Sequence, residues 1–166
     1  MELLYRFEGR LGEPTVVGPV SEGLRLDVPF EGAITDGLLA GGRGRGIDYI
    51  RLRPDGVWII DARDVIEAPG GHVHAHARGY VLPPAGAGAP DLQAILDPAF
   101  RPPDVRLAIR AATMCETGVP SLAYLNRTVI AVAGWVNNGT GELVFEGRAM
   151  PAVGAAAAID AVAGTR

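Results

Sequence analysis

Apolar and polar residues alternate in twos along most of the chain, and turn residues separate the alternating runs. This period is typical of half-buried antiparallel strands. We predict an all-β protein, a closed antiparallel β-barrel, because closure of eight or nine strands removes exposed sheet edges. The predicted strands lie at about residues 2–10, 24–36, 47–53, 57–66, 72–81, 105–116, 124–136 and 141–148, with Leu38 to Gly44 as a further candidate.

Turn and breaker residues mark the connections. Arg53-Pro54-Asp55-Gly56 and Asn137-Asn138-Gly139 predict hairpins, since proline sets φ and glycine or asparagine tolerates a positive φ. After the loop from Pro83 to Pro90, Asp91 can cap a short helix that Asp97-Pro98 ends. We expect this to be the only helix of the core.

The chain has 166 residues, which is the length of one domain. We expect a single barrel domain over residues 1–150, followed by the Ala-rich residues 151–166 as a weak helix or a mobile tail. No apolar run approaches the ~18–20 residues of a membrane span. The residues after Met1 show no secretory pattern, so we expect a cytoplasmic protein without a membrane partner.

Charge and composition exclude several mechanisms. All 15 basic residues are arginine, against 19 acidic residues, and their scatter among acids argues against a nucleic-acid partner. The absence of lysine excludes Schiff-base chemistry and the phosphate-binding lysine of P-loop enzymes. Neither Ser21 nor Ser121 lies in a Gly-x-Ser-x-Gly motif, and the single Cys115 excludes an internal disulfide.

The segment from Trp58 to Tyr80 predicts a hairpin closed around residues 68–71. Its register pairs Glu67 with His72, Val65 with His74, Arg63 with His76, and Asp61 with Arg78. These residues share one face, and the opposite face is apolar, with Trp58, Ile60, Ile66, Val73, Ala75 and Val81. The polar face is either the solvent side of the sheet or the wall of a polar cavity, and we favour the cavity because Val57 and Ile59 begin it.

Three histidines alternate along the second strand of this hairpin. His72, His74 and His76 project from one face, so two of them could reach one metal ion. The chain has no further histidine, and we therefore favour proton transfer or hydrogen bonding by His74 or His76. We predict no metal and no cofactor, and we expect His72 to be exposed beside the turn.

From Met114 to Thr128 the chain reads Met-Cys-Glu-Thr-Gly-Val-Pro-Ser-Leu-Ala-Tyr-Leu-Asn-Arg-Thr. With this block, Leu11-Gly12-Glu13-Pro14, Arg53-Pro54-Asp55-Gly56 and Asp61-Ala62-Arg63, the chain resembles the domain-of-unknown-function family 3237 over about residues 3–148. The resemblance implies a closed antiparallel barrel of the calycin or allene-oxide-cyclase type that assembles into a homo-oligomer. It also implies a connection to aromatic-compound breakdown or natural-product pathways.

Matching the family motifs carries over a set of site positions. They are Asp48 with Tyr49, Asp61, Arg63, Arg110, Glu116, Thr117, Gly118, Asn126 and Arg127. The chain departs from the family pattern where Cys115 replaces Phe, where Tyr124 replaces Trp, and in the richness of the histidine run. The Phe-type position predicts that Cys115 packs in the core.

The side chains at these positions suggest roles that leave alternatives open. Arg63 and Arg110 could bind a carboxylate or enolate, or could neutralise an acid such as Asp61 or Asp48. Glu116 is either a base with a pKa raised by burial or an acceptor of backbone N–H groups. The spacing of two between Tyr124 and Asn126 predicts that they share a face, and both side chains can hydrogen-bond a carbonyl or phenol oxygen.

These residues predict a cofactor-independent acid–base enzyme, a dehydratase, cyclase or related lyase. Its substrate would be a small oxygenated aromatic or polyketide-like molecule inside the barrel. Asp61, His76 and Glu116 would move protons, while Asp48, Arg63, His74, Arg110, Tyr124 and Asn126 would bind the substrate. The alternatives are a decarboxylase of an aromatic acid, held by the arginine pair, and a non-catalytic barrel that binds a small molecule.

Overall fold

The computed structural model describes residues 1–88 and 90–151, which form one nine-stranded antiparallel sheet. Its strands are β1 (Leu3–Leu11), β2 (Thr15–Val20), β3 (Gly23–Asp36), β4 (Arg43–Leu52), β5 (Trp58–Ala68), β6 (Gly71–Leu82), β7 (Arg106–Thr117), β8 (Val129–Asn137) and β9 (Glu142–Ala149). The strand order is β1-β9-β8-β7-β6-β5-β4-β3-β2, and β1 also pairs with β3. Eight strands therefore close into a barrel, and β2 pairs only with the first part of β3.

Glycines shape the wall where the barrel closes. Gly9 of β1 lies opposite Gly32 of β3, and the ring of Phe7 lies against both. A Cβ atom at Gly9 or Gly32 would come within 2.6 or 2.7 Å of that ring. Because neither position carries a side chain, an aromatic ring lies against the inner wall at the seam of the barrel.

Short helices cover the two ends of the barrel. At one end lies α1 (Leu92–Ile95), where the backbone N–H groups of Gln93 and Ala94 donate to the Asp91 carboxylate at 2.9 and 3.2 Å. At the other end a 3₁₀ helix (Pro120–Arg127) buries Leu122 and Leu125 in the core. The expectation of a single core helix is therefore wrong, although the predicted helix and its cap are confirmed.

The hydrophobic pattern correctly predicted the barrel and most of its strands. Every cross-strand pair predicted for the β5–β6 hairpin is confirmed, from Glu67–His72 to Asp61–Arg78. The β4–β5 and β8–β9 turns also lie where expected. The pattern missed β2, whose Gly18 and Pro19 are poor strand formers, and residues 38–42 form a turn rather than a strand.

No helix in the described ranges is long and apolar enough to cross a membrane. The predicted Ala-rich tail lies outside the described residues from position 152 onward.

Candidate functional site

The interior of the barrel holds a cavity of about 100 Å³. An eight-stranded barrel of this type has an interior just wide enough for side chains or one small ligand. Most of the lining is aliphatic or aromatic. Five lining residues carry polar side chains: Tyr5, Asp48, Asp64, Thr113 and Asn138.

Asp64 is an acid on the apolar face of β5, between Ala62 and Ile66. In the described ranges no hydrogen-bond donor reaches its carboxyl group. Gly46 lies directly opposite on β4, and a Cβ atom there would come within 2.5 Å of the Asp64 Cβ. Burial, and then the nearby charge of Asp48, raise the pKa of Asp64 to about 7.

Asp48 brings a second carboxyl group into the cavity from β4. Its cross-strand partner is Ala62, so Asp48 and Asp64 are diagonal neighbours on one face, within roughly 7–8 Å. Its Oδ1 atom accepts a hydrogen bond from the Asp61 backbone N–H at 3.0 Å. Burial raises the pKa of Asp48 to about 7, and that hydrogen bond and the Arg25 charge only partly oppose the shift.

Two weaker acids lie around this carboxyl pair. Burial raises the pKa of the Tyr5 phenol, and a hydrogen bond with Thr113 lowers it in part. Burial also raises the pKa of the Cys115 thiol to about 12, with a further contribution from Asp64. Cys115 is buried and unpaired, as the sequence predicted, and a thiol this weakly acidic is a poor nucleophile.

Aromatic rings form a continuous wall beside the carboxyl pair. The rings of Phe7 and Phe145 stack at 4.7 Å between centroids, and Phe30 and Tyr5 meet them edge to face at 6.0 and 6.1 Å. Such offset and edge-to-face contacts are favourable geometries for aromatic pairs. The cavity therefore combines flat apolar walls with two carboxyl groups.

The polar face of the β5–β6 hairpin points outward. His76 Nε2 lies 2.7 Å from Asp61 Oδ1, and Arg78 lies 3.8 Å from the same carboxylate. The hydrogen bond from His76 is the main cause of the lowered pKa of Asp61. Arg63 and His74 are exposed. The expectation that this face lines the cavity is wrong, because the barrel turns the opposite, more apolar face of the hairpin to its interior. Ile59, which suggested the cavity, lies on the outer face and is partly exposed.

Glu116 and Arg110 also lie on the outer surface of the barrel. Glu116 is paired across the strands with His74 and is exposed, so it is not the buried base that we considered. The Arg110 guanidinium donates to the Ile109 carbonyl at 2.6 Å and faces away from the cavity. Asp48 is the only one of the nine predicted site residues that lines the cavity.

Asn126 joins the 3₁₀ helix to the end of β7. Its Oδ1 atom accepts from the Thr117 N–H at 2.7 Å, and its Nδ2 atom donates to the Thr117 carbonyl at 3.0 Å. Tyr124 is half-buried against the core. The expectation that Tyr124 and Asn126 share a face is wrong, because these residues are helical and a spacing of two aligns side chains only in a strand.

Sequence reasoning missed Asp64, Tyr5 and Thr113. The signal for Asp64 was present, since the same alternation that places Ile60 and Ile66 on the apolar face also places an acid between them. Tyr5 and Thr113 occupy inward positions of β1 and β7 in the same way. A polar residue on the apolar face of a strand is thus the sequence feature that indicates which side chains line the cavity.

No group of three His, Cys, Asp or Glu side chains within residues 1–88 and 90–151 is arranged to hold a metal ion. His72, His74 and His76 follow one another along the outside of β6, and His76 contacts Asp61.

Solved structures with the same architecture come from several bacteria. A conserved protein of unknown function from Rhodopseudomonas palustris is 20% identical, with a TM-score of 0.63 over 89% of this chain and 95% of its own. A β-barrel-like protein from Acinetobacter baumannii is 22% identical, with a TM-score of 0.66 over 90% and 94%. A protein of unknown function from Clostridium acetobutylicum is 16% identical, with a TM-score of 0.65 over 90% and 98%.

These likenesses show the fold alone, and no curated protein matches the chain. A family described as "Protein of unknown function (DUF3237)" matches residues 1–146. The motifs of β1, the β4–β5 turn, β5 and the β7–β8 connection all fall within that match. The chain therefore belongs to the DUF3237 family.

Proposed function

We propose that the protein is a cofactor-independent acid–base enzyme that holds a small, largely apolar, oxygenated substrate inside the barrel. The observation that carries this proposal is Asp64, a carboxyl group without a hydrogen-bond donor that faces an apolar cavity beside Asp48. The Asp64 side chain is only partly exposed and no donor among the described residues holds it, and a titratable group with a shifted pKa in a cavity is a candidate functional group. The proton-transfer roles thus pass from Asp61, His76 and Glu116 to Asp64 and Asp48.

The pKa values of both groups lie near neutral pH, where a proton-transfer group works best. In a dehydration, the ionised Asp48 would take a proton from the carbon next to a carbonyl group. The protonated Asp64 would donate a hydrogen bond to the carbonyl oxygen as negative charge develops. The C–O bond at the β-carbon would then break, and the hydroxyl group would leave as water with the proton that Asp48 has taken, which returns Asp48 to its ionised form. Cyclisation through the same enolate uses the same two groups, in aromatic-compound metabolism or natural-product synthesis.

The cavity supports the two alternative functions, a decarboxylase and a binding barrel, to different degrees. A decarboxylase would need Arg63 and Arg110 to hold a carboxylate, and both side chains are outside the barrel. A non-catalytic binding barrel would use the same cavity and the same aromatic wall. A measurement of turnover distinguishes such a carrier from an enzyme, because a carrier needs no titratable group.

Exchange of α-hydrogens in D₂O, followed by proton NMR on a panel of small cyclic ketones and hydroxyketones, tests the enzyme proposal without a known substrate. We expect wild-type protein to accelerate exchange, and Asp64→Asn and Asp48→Asn each to reduce the rate by roughly 10²-fold or more. Asp61→Asn, which changes the same residue type on the outside of β5, is the matched control and should retain the rate. Binding without exchange in every member of the panel would favour the carrier.

We also propose a cytoplasmic homo-oligomer. Met114 and Val129 are paired across β7 and β8, and they are exposed apolar side chains next to the exposed Met150. Such a patch suits contact with a second copy. Light scattering on a size-exclusion column should show an oligomer that Met114→Glu shifts toward the monomer, whereas a wild-type monomer contradicts this part of the proposal.

A further inference from the structure

We propose that the ligand of the barrel cavity is an uncharged, single-ring carbonyl compound whose oxygen accepts a hydrogen bond from Asp64. This inference deepens the proposed function and rests on its placement of the substrate in this cavity. It names the charge, the size and the recognised group of the ligand, which acid–base chemistry by itself leaves open.

The charge of the ligand follows from the groups that face Asp64. They are the Asp48 carboxyl from β4, the Tyr5 phenol from β1 and the Cys115 thiol from β7, and β6 contributes only Val73, Ala75 and Ala77. All of these groups are neutral or negative. No arginine or histidine is among the described residues that line the cavity. A carboxylate or phosphate would therefore lie beside two acids without a counter-charge, and juxtaposed like charges oppose binding.

A cationic ligand fits the cavity less well than a neutral one. An ammonium group must replace several water contacts. Besides Asp64 and one free oxygen of Asp48, the described lining offers as acceptors only the uncharged side chains of Tyr5, Thr113 and Asn138. Moving a charged group out of water is costly unless all of its hydrogen bonds are replaced. A carbonyl oxygen needs only one donor.

The size of the ligand follows from the volume and shape of the cavity. Its volume is about 100 Å³, and a larger apolar cavity of about 150 Å³ is known to bind benzene. The stacked rings of Phe7 and Phe145 present a flat surface to the interior. One six-membered ring is thus the size that fits with small movements of the walls.

The hydrogen-bond donor follows from the difference between the two acids. One oxygen of Asp48 is held by the Asp61 backbone N–H, while Asp64 has no partner among the described residues. A carboxyl group kept neutral by an apolar site can donate to a ligand oxygen. Of the two carboxyl groups, protonated Asp64 is consequently the one that is free to donate to a carbonyl oxygen.

Isothermal titration and ligand-observed NMR with three matched probes test the inference. The probes are cyclohexanone, methylenecyclohexane, which replaces the carbonyl oxygen by CH₂, and cyclohexanecarboxylate. We expect cyclohexanone to bind roughly threefold to tenfold more tightly than methylenecyclohexane. Cyclohexanecarboxylate should bind roughly a hundredfold more weakly than cyclohexanone or not at all.

Two variants of Asp64 separate the hydrogen bond from the cavity. Asp64→Leu removes the donor and should make the affinities for cyclohexanone and methylenecyclohexane equal. Asp64→Asn keeps an N–H donor that does not titrate. Wild-type affinity for cyclohexanone should fall between pH 6 and pH 8 as Asp64 loses its proton, whereas the affinity of Asp64→Asn should stay constant. The Asn variant keeps the test valid even if the Leu variant fails to fold.

Equal affinity for cyclohexanone and its carboxylate would overturn the inference, as would tighter binding of cyclohexylamine at the same pH. A cyclohexanone affinity that does not differ between wild type and Asp64→Leu would overturn the role of Asp64. Failure of the proposed enzyme activity gives a different result, since cyclohexanone would then bind as expected but exchange no hydrogens.

Discussion

The Asp48 carboxylate accepts a hydrogen bond from the backbone N–H of Asp61 at 3.0 Å, so an acid inside the barrel is bonded to a residue whose own carboxylate lies outside. The outer carboxylate contacts His76 at 2.7 Å and has a lowered pKa, whereas burial raises the pKa of Asp48 to about 7. Asp48 and Asp61 thus lie on opposite sides of the barrel wall, and their pKa values are shifted in opposite directions. This difference leads to distinct pH effects on stability.

Asp64→Asn should stabilise the protein at high pH. The pKa of Asp64 is about 7 in the folded state and near 3.8 when unfolded, so the folded state binds more protons between these values. The contribution of Asp64 to stability is therefore highest below pH 4, falls as pH rises towards 7, and then levels off. We expect Asp64→Asn to raise the free energy of unfolding at pH 8 by about 1–4 kcal/mol relative to wild type, and by less at pH 5.

Urea unfolding of both proteins at the two pH values measures this difference. A constant difference between wild type and Asp64→Asn across pH 5–8 would contradict a titrating Asp64.

Asp61→Asn should have the opposite pH dependence and a smaller effect. The pKa of Asp61 is lowered by its hydrogen bond with His76, so its contribution is present above its unfolded pKa and is lost as pH falls through the folded pKa. The two side chains are 25% and 27% exposed, and we expect a loss of at most about 1 kcal/mol at pH 7. Asp61→Asn with His76→Ala in a double-mutant cycle measures the pair, and a coupling of several kcal/mol would contradict this estimate.

Asn126→Ala should destabilise the end of the barrel that the 3₁₀ helix covers. The variant loses both hydrogen bonds to the Thr117 backbone, at 2.7 and 3.0 Å, and should cost about 1–3 kcal/mol. Asn126→Asp should also destabilise, because a carboxylate cannot donate to the Thr117 carbonyl. Urea unfolding gives the cost, and hydrogen exchange should show faster opening of residues 120–127. Ser121→Ala, at an exposed position of the same helix, is the control. Equal losses of stability in Asn126→Ala and Ser121→Ala would contradict a stabilising role of the two Asn126 hydrogen bonds.

Gly46→Ala should weaken ligand binding and folding together. A Cβ atom at position 46 would lie 2.5 Å from the Asp64 Cβ and 2.4 Å from the Arg63 carbonyl oxygen, so the strands must shift. We expect a loss of roughly 1–3 kcal/mol in stability and a reduced affinity for cyclohexanone. Gly118→Ala is the matched control, because nothing lies within 4 Å of its Cβ position. Thermal unfolding and titration of both variants check the prediction, which fails if position 46 tolerates alanine as well as position 118.

Local pattern was sufficient to predict the barrel and the pairing within the β5–β6 hairpin. Alternation in twos, the Pro69-Gly70 turn and the opposed residues Glu67 and His72 depend only on neighbours in sequence. The same was true of the α1 cap at Asp91. Alternation also separated Asp64 from Asp61, because adjacent strand residues point to opposite faces.

Only the closed barrel decided which face is inside. Alternation divides a strand into two faces, but it does not tell which face packs against the apolar residues of the other strands. The outer face of β5 is partly apolar, and for this reason we predicted that it lines the cavity. The same limit applies to Asn126, since the long-range contact with Thr117 and the 3₁₀ geometry set its role. The amino-acid sequence thus determined most of the strands and the register of the β5–β6 hairpin. The pairing of β4 with β5 places Asp48 and Asp64 on one face, and only the tertiary structure made that face the wall of a cavity, because closure of the barrel brings the aromatic rings of β1, β3 and β9 to its interior.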